Sequence, residues 1–134
     1  MAQAWKDLFP EIPFWLVSRN PNRSLPYPTL SYDSLEGRRW PARLLLVQAT
    51  PLGAFPRPLE KPPFPFSLIQ PSWTVVDLIY NPNPTLFLKE ARARGASIES
   101  GYEFLRRQAE HSRAIWDQLW KEIYPCAGKP AQAK

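Results

Sequence analysis

The run VVDLIYNPNPTLFLKEARARGASIESGYEFLRRQAEHSRAIWDQLW, Val75 to Trp120, switches between two hydrophobic periods. Val75–Tyr80 is short, apolar and β-branched, which predicts a strand, and Asn81-Pro82-Asn83-Pro84 stops it. Asn83 can cap the helix that follows, with Pro84 at its first position, where a missing N–H is harmless. Gly95 ends that helix after Arg92-Ala93-Arg94, as a left-handed cap does. Ser97-Ile98-Glu99 is long enough for an edge strand, and Ser100-Gly101-Tyr102-Glu103 has the spacing of a capping box opening a closing helix. In that helix Leu105, Ala109, Ser112, Ile115, Trp116 and Leu119 recur at three and four, which predicts an inward stripe. Gln108 lies on the same side. An amide there needs partners, and a ligand's hydroxyls, water or backbone would all serve.

Upstream, Leu44-Leu45-Leu46-Val47-Gln48 is a continuous apolar run, expected of a strand covered on both faces of a parallel sheet. Ala49-Thr50-Pro51-Leu52-Gly53 turns away from it, and a proline-rich connector, Phe55–Ser72, leads to Val75. Nearer the start, Ala2–Phe9 reads as a helix ended by Pro10, and Pro13–Val17 as a short strand. A further short strand is expected near Leu30 and a helical turn over Tyr32–Glu36. This alternation of short strands and helices predicts an α/β fold: an incomplete Rossmann-like, doubly wound parallel sheet flanked by helices. Residues 1–124 form that partial domain, and 125–134 a flexible polar tail.

The turn Ser18-Arg19-Asn20-Pro21-Asn22-Arg23 leaves the Pro13–Val17 strand where a nucleotide-binding fold meets the adenosine ribose. An acidic residue there would suit the free 2′-hydroxyl of NAD. This turn has no carboxylate and two arginines, and guanidinium groups suit a 2′-phosphate, so the charge favours NADP. Taken from the residues alone, a pair of exposed turn arginines is the better account of the turn.

Composition narrows the partners. The chain has 134 residues, a net charge of +5, and 44% hydrophobic residues including six tryptophans, which argues against disorder. Its basic residues are scattered rather than gathered with aromatic platforms, so no nucleic-acid partner is expected. No apolar run approaches the roughly 20 residues that span a bilayer, so no membrane partner is expected either. The single Cys126 leaves no internal disulfide and no cysteine zinc site, and suits a reducing cytoplasm. His111 stands alone, so neither a metal site nor a catalytic triad is expected. Asp77 reads as a turn or cap anchor rather than a catalytic group.

Three segments together resemble shikimate dehydrogenase. Asp77-Leu78-Ile79-Tyr80-Asn81-Pro82 matches that family's D-x-x-Y-N-P turn, Gly95-Ala96 through Gly101 its G-A-x-x-x-x-G step, and Phe104-Leu105-Arg106-Arg107-Gln108-Ala109 its M-L-x-x-Q-A helix, with Phe104 for Met. Gln48 through Ala54 is similar to its N-A/T-T-P-L-G-M loop, and Ser18 through Arg23 to its N-R-T-x-x-R/K turn. The resemblance implies an enzyme reducing 3-dehydroshikimate to shikimate with NADPH, in chorismate and aromatic amino-acid biosynthesis. It implies cofactor contacts from Ser18, Arg19, Asn20, Arg23, Thr50, Gly53 and Gly101, and substrate contacts from Tyr80 and Gln108. The family's catalytic Lys and Asp lie in an N-terminal domain that nothing here matches, so no catalytic residue is assigned. The first strand and its glycine-rich loop are unmatched too, which implies an N-terminally truncated portion, inactive alone. The alternative is a degenerate, non-catalytic module that needs a partner chain or self-associates through unpaired strand edges.

Overall fold

The computed structural model describes residues 2–21 and 26–124. Arg23 and the tail expected over 125–134 lie outside the described residues. The elements run α1 (Ala2–Leu8), β1 (Leu16–Val17), β2 (Thr29–Leu30), a 3-10 turn at Tyr32–Ser34, and β3 (Leu45–Gln48). A second 3-10 turn at Phe66–Leu68 precedes β4 (Thr74–Asp77), α2 (Leu86–Ala93), β5 (Ser97–Ser100) and α3 (Gly101–Ile123).

Among the described residues every strand pairing is parallel, in two separate pieces: β1 with β2, and β3-β4-β5 with β4 central. Leu46 stands opposite Val75, and Val75 opposite Ile98. Those three side chains share one face, and α2 covers it through Phe87, Leu88 and Ala91. The proline-rich connector adds Phe66, Ile69 and Trp73 to the same core. The Phe66 ring is flanked by the Lys61 ammonium at 4.6 Å and the Arg94 guanidinium at 5.5 Å from its centroid. Glu90 pairs with both cations, at 2.8 and 3.1 Å, which fastens the connector to α2.

Gly95 terminates α2 at φ +84, with its N–H donating to the Arg92 carbonyl, as the left-handed cap requires. The start of α2 corrects the expected cap. The N-cap is Thr85, two residues beyond Asn83, and its hydroxyl accepts the Leu88 N–H at 3.3 Å. The capping box expected for α3 is also absent. Ser100 is the N-cap without a side-chain bond, and Glu103 turns to Arg106 and Arg107 instead.

Two burial expectations are overturned. On β3, Leu45 and Val47 are 43% and 38% exposed, so the second face of the triplet is open. On α3, the expected inward stripe faces solvent: Leu105, Ile115, Trp116 and Leu119 are 38% to 71% exposed. The stripe is real as a pattern, but no described residue packs over it. Gly101 is the one buried residue of that helix.

Candidate functional site

Three of the singled-out positions meet at the carboxyl ends of β3, β4 and β5, the edge at which open parallel sheets bind ligands. Gln48, the last residue of β3, is buried and shapes the loop after it. Its side-chain carbonyl accepts the Thr50 N–H, and its amide donates to the Leu52 carbonyl at 3.0 Å. The Thr50 hydroxyl accepts the Leu52 N–H at 3.3 Å, so it is turned into its own loop. Gly53 then adopts φ +101, and a Cβ there would stand 3.0 Å from the Glu60 carbonyl oxygen and 3.8 Å from the Ile79 side chain. The loop closes onto the end of β4 when the Phe55 N–H donates to the Asn81 carbonyl at 3.2 Å.

The same Leu78–Asn81 segment meets the start of α3. The Gly101 N–H donates to the Ile79 carbonyl at 3.2 Å, and an added Cβ would fall 2.0 Å from the Leu78 carbonyl oxygen. Glycine at 101 is therefore demanded by this chain's own backbone, before any ligand is considered. Tyr80 lies between the two contacts and is 53% exposed.

Asp77 fixes the geometry of this segment. It is fully buried; one carboxylate oxygen accepts the Ile79 N–H at 3.0 Å and the other the Thr85 hydroxyl at 2.6 Å. Burial pushes its carboxyl above the usual range, and the Thr85 and Ile79 bonds pull the other way. The expectation of an anchor rather than a catalytic group fits this arrangement. What sequence reading missed is that Gln48 and Thr85 are anchors too. The signal available was a polar residue ending a strand beside a turn for Gln48, and a threonine immediately before the apolar start of α2 for Thr85.

Arg19 follows β1, on a turn where the Ser18 hydroxyl accepts the Asn20 N–H at 3.1 Å. It is exposed and forms no ion pair among the described residues. Its charge lowers the Tyr32 hydroxyl's pKa against a larger rise from burial. Gln108 is exposed on α3. It is not brought onto a closed face with Tyr80, as the inward stripe would have required. Two shallow depressions among the described residues lie elsewhere. One, of about 390 Å³, is lined by Tyr32, Asp33, Glu36 and Pro63–Pro65. The other, of about 310 Å³, sits at the amino ends of β3 and β4. Neither includes Arg19 or Gln108.

No family model matches the chain. Over 84 residues it is 40% identical to the shikimate dehydrogenase (NADP(+)) of Desulforamulus reducens, covering 63% of this chain and 29% of that one. Over 116 residues it is 36% identical to the shikimate dehydrogenase (NADP(+)) of Microcystis aeruginosa, covering 75% and 40%. Its fold matches the crystal structure of a chorismate mutase/shikimate 5-dehydrogenase fusion protein from Clostridium acetobutylicum. That match has a TM-score of 0.66 and 34% identity, over 78% of this chain and 37% of the other. The chain belongs to the shikimate dehydrogenase family. It spans less than half the length of the shikimate dehydrogenases it matches. The Rossmann-like class expected from the sequence agrees with this shikimate dehydrogenase likeness.

Proposed function

We propose that the chain forms the cofactor-facing part of a shikimate dehydrogenase that binds NADP(H) and works in the cytoplasm. Its substrate side reduces 3-dehydroshikimate to shikimate on the route to chorismate and the aromatic amino acids. The observation that carries the reading is that Gly53 and Gly101 both close onto the Leu78–Ile79 segment, next to Tyr80, beyond the carboxyl ends of three adjacent parallel strands. The donor chemistry of the β1 turn fits the adenosine 2′-phosphate. Arg19 is exposed with no carboxylate partner among the described residues, and the turn carries no acid to repel a phosphate. Ser18, Asn20 and Arg23 would complete that hold, Thr50, Gly53 and Gly101 would border the nicotinamide end, and Tyr80 and Gln108 would reach the substrate.

Bound NADPH would supply the hydride. The chain's own residues bind and orient; none is assigned to the proton relay that reduction of a ketone also needs. The 134-residue polypeptide alone is therefore expected not to turn over shikimate. Calorimetric titration tests the binding half of this reading: NADP is expected to bind more tightly than NAD, and Arg19→Glu to remove the difference. Equal affinity for the two nucleotides in the native chain would refute it. A non-catalytic module needing a partner chain is the second reading, favoured by the unpaired strand edges.

A further inference from the structure

Gln48, Asp77 and Thr85 are the buried polar side chains among the described residues, and all three lie at or just beyond the carboxyl ends of β3 and β4. Gln48 stands opposite Asp77 in the parallel register, and the Thr85 hydroxyl donates to the Asp77 carboxylate. Burying a polar group costs free energy that an apolar side chain avoids, so three at one edge of a sheet ask for a reason. Asp77 and Thr85 have one in the start of α2, which Thr85 caps. Gln48 has none in the sheet itself. Main-chain groups join β3 to β4, with Thr74 and Leu78 donating to the Leu44 and Gln48 carbonyls. The Gln48 side chain serves only the loop that follows, accepting the Thr50 N–H and donating to the Leu52 carbonyl. Thr50 and Leu52 are only half-buried, so water can reach their main-chain groups without it.

That loop is tied onward. The Phe55 N–H donates to the Asn81 carbonyl and the Gly101 N–H to the Ile79 carbonyl, on either side of Tyr80. A set of bonds thus runs from the Gln48 amide through residues 50–55 to the Tyr80 segment and the start of α3. We propose that Gln48 is a positioning residue, fixing the Thr50–Gly53 loop and the Tyr80 segment in the shape that receives the nicotinamide end of the dinucleotide. Being buried, it acts through the loop rather than by touching the ligand. The gain is a loop that need not be ordered when the ligand arrives. The inference rests on the NADP(H) reading above.

Calorimetric titration of the full chain with NADP, paired with amide hydrogen exchange, tests it. Gln48→Met keeps the reach of the side chain and loses both hydrogen bonds. It should leave the circular dichroism and the Thr74 and Leu78 amides native and speed exchange at Thr50, Leu52 and Phe55. Its NADP affinity should fall roughly tenfold. Gln48→Glu supplies the rescue: the protonated acid has a donor and an acceptor, as the amide does, and the carboxylate has acceptors only. Its affinity, taken as a ratio to the native chain, should approach one at low pH and drop as pH rises. Asp77, the titratable group beside it in the register, is common to both chains and divides out of that ratio. A merely structural role would lower the urea midpoint of the variants and leave the affinity of the folded chains equal at every pH. The proposal is overturned, with the NADP reading intact, if Gln48→Met binds NADP as the native chain does. It is equally overturned if the Thr50 amide exchanges as fast in the native chain as in Gln48→Met. A native chain that binds no NADP ends the reading itself, and this proposal with it.

Discussion

The buried carboxylate of Asp77, at the end of β4, accepts a 2.6 Å hydrogen bond from the Thr85 hydroxyl that caps α2. One hydroxyl thus serves two elements, donating to the strand end and accepting from the helix. Thr85→Ala removes the cap and leaves a buried carboxylate oxygen without that donor. A loss of about 2–4 kcal/mol is expected in urea unfolding, most of it recovered by Thr85→Ser. The pH dependence has a definite sign. The folded carboxyl of Asp77 titrates above its ordinary 3.8, so its contribution to stability is greatest when protonated and declines as pH rises from there through the raised value. Thr85→Ala removes a bond that lowers the pKa, so it should move that decline to higher pH.

Gly101→Ala tests the crossing of α3 over β4. The added methyl would meet the Leu78 carbonyl oxygen at 2.0 Å, and a backbone atom cannot yield as a flexible side chain can. Destabilisation of about 3 kcal/mol or more is expected. Gly37→Ala is the control, since nothing lies within 4 Å of a Cβ there. Thermal melts of the two variants should differ clearly.

Two tryptophans should behave oppositely. Trp73 is 2% exposed, lies in the core, and donates from its indole to the Pro41 carbonyl at 3.3 Å. Trp116 is 71% exposed on α3. Trp73→Ala is expected to lose about 3–5 kcal/mol, and Trp116→Ala to stay within about 0.5 kcal/mol. Denaturant midpoints measure both.

Glu103 makes the start of α3 sensitive to acid. Hydrogen bonds from Arg106 and Arg107 lower its carboxyl from 4.5 to about 2. A lowered folded pKa means support that is complete above 4.5 and lost as pH falls through about 2. Far-ultraviolet circular dichroism should show helix content falling across that window. Glu103→Gln should lower helicity at neutral pH and flatten the acid response.

The order of elements was legible because the periods change at punctuated places. Val75–Tyr80 reads as a strand, formed over Thr74–Asp77, Gly95 as a helix end, and Ser97–Glu99 as a short edge strand, formed over Ser97–Ser100. The α2 cap was misplaced because Asn83 and Thr85 both satisfy the local rule, and the choice rests on Asp77, a tertiary partner. Burial on β3 and α3 was illegible for a related reason. A hydrophobic period names a face but not the neighbour that would cover it, and Leu45, Val47 and Trp116 have none among the described residues. Of the candidate site, Gly53, Tyr80 and Gly101 were singled out from their motifs, and they lie beyond the carboxyl ends of β3 and β4 and at the start of α3. Gln108 could not be placed, because its expected position depended on an inward stripe that faces outward.

The bare stripe of α3 has a thermal consequence. Past Gly101 the helix is held by its own backbone ladder and by the chain of ion pairs Arg107–Glu103–Arg106–Glu110. A rod held that way unwinds from its far end while the triplet sheet and α2 are still intact. Calorimetry should therefore record a broad, salt-sensitive early event and a sharp later one, rather than a single cooperative peak.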